Sequence, residues 1–510
     1  MLKTLCRFFL GILSTLIVSP AFAAEKIAFN YPPFGEFYVS VQDIETFALS
    51  GKITPSFAYY AQKVSPEELK KLRELLTKSF PVNSIEVYNF LRTDLGKEVM
   101  AQVIKIINSP SDESKPTLEG ALISAAEKPE GLTILNVLRE YSLPTIKVNL
   151  STVINTVNTA DEFFNQTDRV FTWLDKQSVS KSSFKLPIPL QELSKPGPVT
   201  WREETLTVNR TSSDQPINVL VYLPNNLKKP APVIVVAPGL NSDIGSFKYA
   251  ARHLASYGFG IIAINFPQTD AQRMWDLLAG LDTIPRPNAW LQQPLDVTLV
   301  LNAVELKVKS DPLWQETVDL NNVGMLGQSL GGYTSMGISG SQTAWDNVLK
   351  SCQEVKDPYQ LTFNPALIWQ CRGVNGIPPI KNMQDKRIKA VIAINPVTNP
   401  IFNEQSMGYI KTPVMMISGS ADIFAPAIPE QIRPFTWLTQ TDKYLLLVGN
   451  STHLSFLEGT SSLHPIIVGP DPALARFYLQ VLSLAFFNTY LKNQAEFKLY
   501  LNPAAKLNGS

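Results

Sequence analysis

The chain has 510 residues, more than one compact core accommodates, so two folded units are expected. Hydrophobic residues make up 45% and charged residues 17%, an ordinary globular balance. Lys and Arg number 45 against 44 Asp and Glu, which leaves no net field to draw in nucleic acid or an acidic substrate. Nucleic-acid binding is therefore set aside.

Residues 1–23 read as an export signal. Lys3 and Arg7 supply the positive end, Phe8 to Val18 a short apolar run, and Ala21-Phe22-Ala23 the small residues at alternate positions that a signal peptidase accepts. The run is shorter than the ~20 residues that cross a bilayer. Cys6 precedes the run and is not a lipid-attachment site. No later segment is apolar enough to span a membrane, so the mature protein is expected to be periplasmic or secreted, with no transmembrane segment. Processing leaves Cys352 and Cys371, a candidate disulfide pair in an oxidising compartment. His253, His453 and His464 lack the spacing of a metal site, so no metal is expected.

Residues 24–150 carry a helical pattern. Ser65-Pro66-Glu67-Glu68 starts a helix with an N-cap serine, proline at the first position and glutamate three residues on. Leu69, Leu72, Leu75 and Leu76 follow at helical spacing. Further helices fit Ser84 to Leu91, Leu95 to Ile107 (stopped by Pro110), Thr117 to Ala126 and Thr133 to Tyr141. A small all-helical domain without a catalytic cluster is expected. Residues 151–197 form an amphipathic connecting segment, and Pro187, Pro189, Pro196 and Pro198 mark its end.

Residues 198–510 change period. Glu204 to Val208 and Ile217 to Leu223 read as a hairpin pair. Short apolar runs follow at Val233–Val236, Gly260–Ile264, Val323–Leu326, Val391–Ile394, Val414–Ile417 and Tyr444–Val448. Helical segments separate them, including Phe247 to Tyr257, Leu295 to Val308 and Ala473 to Leu491. The pattern predicts an α/β fold: about eight strands in a mostly parallel sheet with helices on both faces.

Gly327-Gln328-Ser329-Leu330-Gly331 directly follows the Val323 strand and precedes a helix-compatible run. Alone the pentapeptide is a weak signal. In a strand-to-helix turn it holds a serine hydroxyl at the sheet's C-terminal edge, near a helix N-terminus that stabilises negative charge. Such a hydroxyl needs a base, and the base needs an acid to orient it. His453 lies just after the last predicted strand and Asp422 just after the one before. Asp385 and Glu430 compete with Asp422 but sit farther from a strand end. An oxyanion needs preorganised donors. The backbone N–H of Leu330 is one candidate. The other is Leu240, in the Ala237-Pro238-Gly239-Leu240-Asn241 loop after the Val233 strand.

With those residues, the region from about Pro198 onward resembles dienelactone-hydrolase-like and platelet-activating-factor-acetylhydrolase-like esterases of the α/β-hydrolase class. Pro238-Gly239-Leu240, Gly327 to Gly332, Ser418 to Asp422 and Thr452-His453 carry the likeness. Many members have His-Gly where this chain has Pro238-Gly239. The helical region resembles the uncharacterised N-terminal domain found before such hydrolases in cyanobacteria, through Ser65 to Glu68 and Pro129 to Thr133. The resemblance implies a Ser-His-Asp esterase or lipase that needs no cofactor.

Two insertions are candidates for capping the site: Gln268 to Gln293, with Trp275 and Trp290 as candidate substrate-binding residues, and Ser341 to Asn382, with both cysteines. Their apolar side chains suit a small-molecule or lipid ester and suit lid packing equally. Acyl transfer on the same triad and a non-catalytic binding protein on a hydrolase scaffold are the alternatives.

Overall fold

In the computed structural model the described residues run from 24 to 502, except 31–34, 81, 93, 108–113, 150–165, 168, 175, 177–185, 211–214, 241, 268, 271–288, 357–361, 363, 374–379, 381 and 461–467. The expected export signal, Trp275, Asn241, His464 and most of the connecting segment lie outside the described residues. The described residues fall into two compact units, one from Ala24 to Asn149 and one from Gln166 onward.

The N-terminal unit is not all-helical as the periodicity suggests. It contains a three-stranded sheet of β1 (Lys26–Asn30), β2 (Glu36–Ser40) and β3 (Thr145–Val148), with β1 in the middle. β1 runs antiparallel to β2 and parallel to β3, so Ile27 lies opposite Ile146. Strands of four or five residues are too short to display a period, and a pairing between the two ends of a domain leaves no mark in a local window. Helices at Val41–Ser50 and Pro55–Ala61 are additions to the expected set. The expected Ser65 start is present: Glu68 N–H donates to Ser65 Oγ, and Ser65 N–H donates to the Glu68 carboxylate at 2.8 Å.

The C-terminal unit is built on eight strands. They are β4 (Trp201–Val208), β5 (Ile217–Pro224), β6 (Ala231–Ala237), β7 (Gly260–Asn265), β8 (Val318–Gln328), β9 (Ile388–Ile394), β10 (Val414–Gly419) and β11 (Lys443–Val448). Their order is β11-β10-β9-β8-β6-β7-β5-β4. β5 is antiparallel to β4 and β7, and the remaining pairs are parallel.

Alternate residues along each central strand go to opposite faces, as the two-residue repeat requires. Val233, Val235, Met325, Val391, Ala393 and Met416 join one core, with Val297, Val300 and Val304 of the Gln293–Ser310 helix and Tyr333 and Met336 of the Leu330–Ile338 helix. Ile234, Val236, Leu326, Ile392, Met415 and Ile417 join the other, with residues of the Lys248–Ser256 and Pro472–Leu491 helices. Both faces are thus dry, which is why the strands read as unbroken apolar runs. Because β6, β8, β9, β10 and β11 are parallel, the loops after them all emerge at one edge of the sheet.

Candidate active site

β8 ends at Gln328, the Leu330–Ile338 helix begins two residues later, and Ser329 is the single residue between. Its backbone has φ 56° and ψ −114°, which a residue with a β-carbon adopts only under constraint. The constraint comes from β9 and its exit. Ser329 N–H donates to Ile394 O at 2.9 Å, and Ser329 O accepts from Val397 N–H at 3.3 Å and Tyr333 N–H at 3.0 Å. Two glycines make room for the turn. A β-carbon on Gly331 would lie 1.9 Å from Ala237 O, and one on Gly327 would lie 2.0 Å from Gly331 O. The glycine spacing of the pentapeptide is therefore a packing requirement of strand, turn and helix.

His453 follows β11 and Asp422 follows β10. His453 Nδ1 and Asp422 Oδ2 are 2.7 Å apart, with the Asp422 side chain fully shielded and that of His453 10% exposed. The other Asp422 oxygen accepts from Phe424 N–H at 2.9 Å and Ala425 N–H at 2.8 Å. These bonds fix the carboxylate's rotamer. A proton on Nδ1 directed at Asp422 leaves Nε2 as the basic nitrogen.

Three buried side chains that the sequence did not single out join these loops. Gln328 Nε2 donates to His453 O at 3.1 Å, so the residue before the serine holds the backbone of the histidine. Asn395, at the exit of β9, accepts from Gly419 N–H at 3.0 Å and donates to Thr452 O at 3.2 Å. It thereby binds the Asp422 and His453 loops together. Gln431 donates to Pro396 O at 2.9 Å and Ala425 O at 3.0 Å, and its carbonyl accepts from Ser418 Oγ at 3.0 Å. Gln328 lies within the pentapeptide at a position where any residue satisfies the pattern. Asn395 and Gln431 carried no sequence signal.

The loop after β6 passes directly over the serine. A β-carbon on Gly239 would lie 2.8 Å from Ser329 Cβ and 2.5 Å from Gln328 Oε1, so only glycine fits there. Leu240 follows on this loop, and Leu330 opens the helix, where the first backbone N–H groups have no partner within the helix. Both candidate oxyanion donors thus flank the Ser329 turn, and the helix N-terminus adds its positive dipole end.

The rival acids have other partners. Asp385 precedes β9, at the opposite edge of the sheet. Burial works to raise its carboxyl, but Arg387, at 2.9 Å and 2.6 Å, outweighs this and holds it below the usual range. Glu430 accepts from Asn364 Nδ2 at 2.5 Å, Thr398 N–H at 2.8 Å and Asn399 N–H at 3.0 Å. His253 lies in the Lys248–Ser256 helix, with its ring 5.2 Å from that of Tyr257.

Trp290, a candidate substrate contact that suited packing equally, is a core residue. It is 1% exposed and packs edge-on against Tyr333 with centroids 4.8 Å apart. Tyr333 belongs to the helix after the serine, so Trp290 supports that helix from behind. An isolated tryptophan in an insertion looks the same in sequence whether it faces a ligand or the core. Cys352 and Cys371 form a disulfide that joins the Trp345–Val355 and Pro365–Gly373 helices. Among the described residues no group of three or more His, Cys, Asp or Glu could hold a metal ion, and no helix is long and apolar enough to cross a membrane.

Residues 23–149 match the family described as "Alpha/beta hydrolase of unknown function (DUF1400)". The matched stretch covers the N-terminal unit and stops short of the eight-stranded sheet. The match supports an alpha/beta hydrolase. No curated protein matches the chain.

Proposed function

We propose that this chain is a serine hydrolase of carboxylic esters with Ser329 as nucleophile. The observation that carries the proposal is the 2.7 Å contact between His453 Nδ1 and Asp422 Oδ2, at the sheet edge where Ser329 occupies a constrained strand-to-helix turn.

Ser329 Oγ attacks the ester carbonyl carbon while His453 Nε2 takes the hydroxyl proton. Asp422 holds the imidazole in the required tautomer and stabilises the imidazolium. The tetrahedral oxyanion accepts from the Leu240 and Leu330 N–H groups. Collapse breaks the ester C–O bond, and His453 returns its proton to the departing alcohol. Water then attacks the acyl-enzyme with His453 again the base, releasing the acid and restoring Ser329. Every proton is handled by His453, so no cofactor is needed. The disulfide favours an oxidising compartment and so supports residues 1–23 as an export signal.

Hydrolysis of short-chain p-nitrophenyl esters by wild type and Ser329→Ala tests the proposal. The variant is expected to lose activity by about a thousandfold or more. Survival of more than roughly a few per cent excludes Ser329 as the nucleophile.

A further inference from the structure

We infer that Ile423 and Phe424 form the binding wall for the alcohol portion of the ester and select esters of bulky apolar alcohols. This rests on the ester-hydrolase proposal above.

The two residues directly follow Asp422 and are 51% and 44% exposed. Single exposed apolar side chains are ordinary on a protein surface. Among the described residues of the C-terminal unit, this is the one place where two consecutive large hydrophobic side chains are exposed. The backbone beneath them is held firmly. Phe424 N–H donates to Asp422 Oδ1 at 2.9 Å, and Phe424 O accepts from Ala366 N–H at 3.0 Å. Ala366 lies in the first turn of the Pro365–Gly373 helix, which the disulfide fastens through Cys371. With its backbone already fixed, this segment loses little backbone entropy when a ligand packs on it, the condition under which a wall contributes binding energy.

The position of the ring identifies the occupant. The Phe424 and His453 rings are 5.6 Å apart, tilted at 49°. In ester cleavage the histidine gives its proton to the leaving alkoxide, so the alcohol oxygen comes within hydrogen-bond reach of the imidazole. The carbon chain on that oxygen then extends past Phe424, whereas the acyl carbonyl is held on the side of the Leu240 and Leu330 N–H groups. Phe424 offers such a chain an apolar face and no hydrogen-bond partner, so a polar alcohol gains nothing there.

Two ester series separate the sides of the substrate: butanoates of methyl, butyl and octyl alcohols, and methyl esters of acetic, butanoic and octanoic acids. Phe424→Ala is expected to lower the octyl-to-methyl ratio of kcat/KM in the alcohol series by about tenfold and leave the slope of the acyl series unaltered. Ile423→Ala is expected to lower the same ratio by less, and Phe424→Leu to retain most of it. An equal loss for all alcohols, or a loss confined to the acyl series, overturns the inference while leaving the ester-hydrolase proposal standing. A wild type that cleaves no member of either series overturns both.

Discussion

Gln328 donates its side-chain amide to the backbone carbonyl of His453 at 3.1 Å, so the residue next to Ser329 fixes the loop that carries His453. The bond is buried, with Gln328 1% exposed, and spans the β8 and β11 exits. Removing it leaves a buried carbonyl with Asn395 Nδ2, 3.5 Å away, as the remaining donor. Gln328→Ala is expected to cost about 1–3 kcal/mol of stability. It should lower kcat by roughly tenfold with a smaller change in KM, since a misplaced base affects chemistry more than binding. Gln328→Glu sets an acceptor against a carbonyl and should be at least as damaging, which separates the hydrogen bond from the packing. Steady-state kinetics and melting curves of the two variants check this.

Gly331 and Gly120 predict opposite outcomes for the same substitution. At Gly331 the added carbon meets Ala237 O at 1.9 Å, and the turn has no slack to move. Gly331→Ala should cost about 3 kcal/mol or more and abolish activity. Gly120, within the Ser114–Ala126 helix of the N-terminal unit, meets nothing within 4 Å. There alanine should add up to about 1 kcal/mol through helix propensity. Chemical denaturation followed by circular dichroism distinguishes the two.

Glu430 predicts a stability change near neutral pH. Burial pushes its carboxyl from 4.5 up to about 7, against the Asn364, Thr398 and Asn399 donors, while nearby Asp422 adds to the push. A folded-state value above the unfolded one means the folded protein binds the proton more tightly. That contribution is full below the ordinary carboxylate value and is lost as pH rises through about 7. The melting temperature of wild type relative to Glu430→Gln should therefore fall between about pH 5 and about pH 8. A difference independent of pH contradicts it.

His253 acts in the acid range. Burial lowers its imidazole from 6.5 to about 4, and its Nε2 has no hydrogen-bond partner. The neutral ring contributes stability above the ordinary histidine value, and that contribution disappears as pH falls through about 4. Urea midpoints of wild type should decline more steeply over this window than those of His253→Leu. Parallel curves would place the acid sensitivity elsewhere.

The C-terminal sheet was legible in the sequence because its central strands are buried on both faces, which writes each as a short apolar run such as Val233 to Val236. The pentapeptide around Ser329 was legible because close packing leaves glycine no substitute at 327 and 331. β1 and β3 were missed because Ile27 and Ile146 pair across the whole N-terminal unit. Trp290 was left open between substrate contact and packing because its burial depends on Tyr333, a neighbour in space alone. Asn395 and Gln431 were invisible for a related reason. A buried amide that satisfies backbone groups of two other segments looks, in one dimension, like any polar residue between strands.

The most direct test of Ser329 as an activated nucleophile is covalent labelling of the full chain with a fluorophosphonate, read by intact mass and peptide mapping. One adduct on Ser329 is expected, absent in Ser329→Ala and slowed by about a hundredfold or more in His453→Ala, where no base takes the hydroxyl proton. An unlabelled wild type, or an adduct on a residue other than Ser329, contradicts the account.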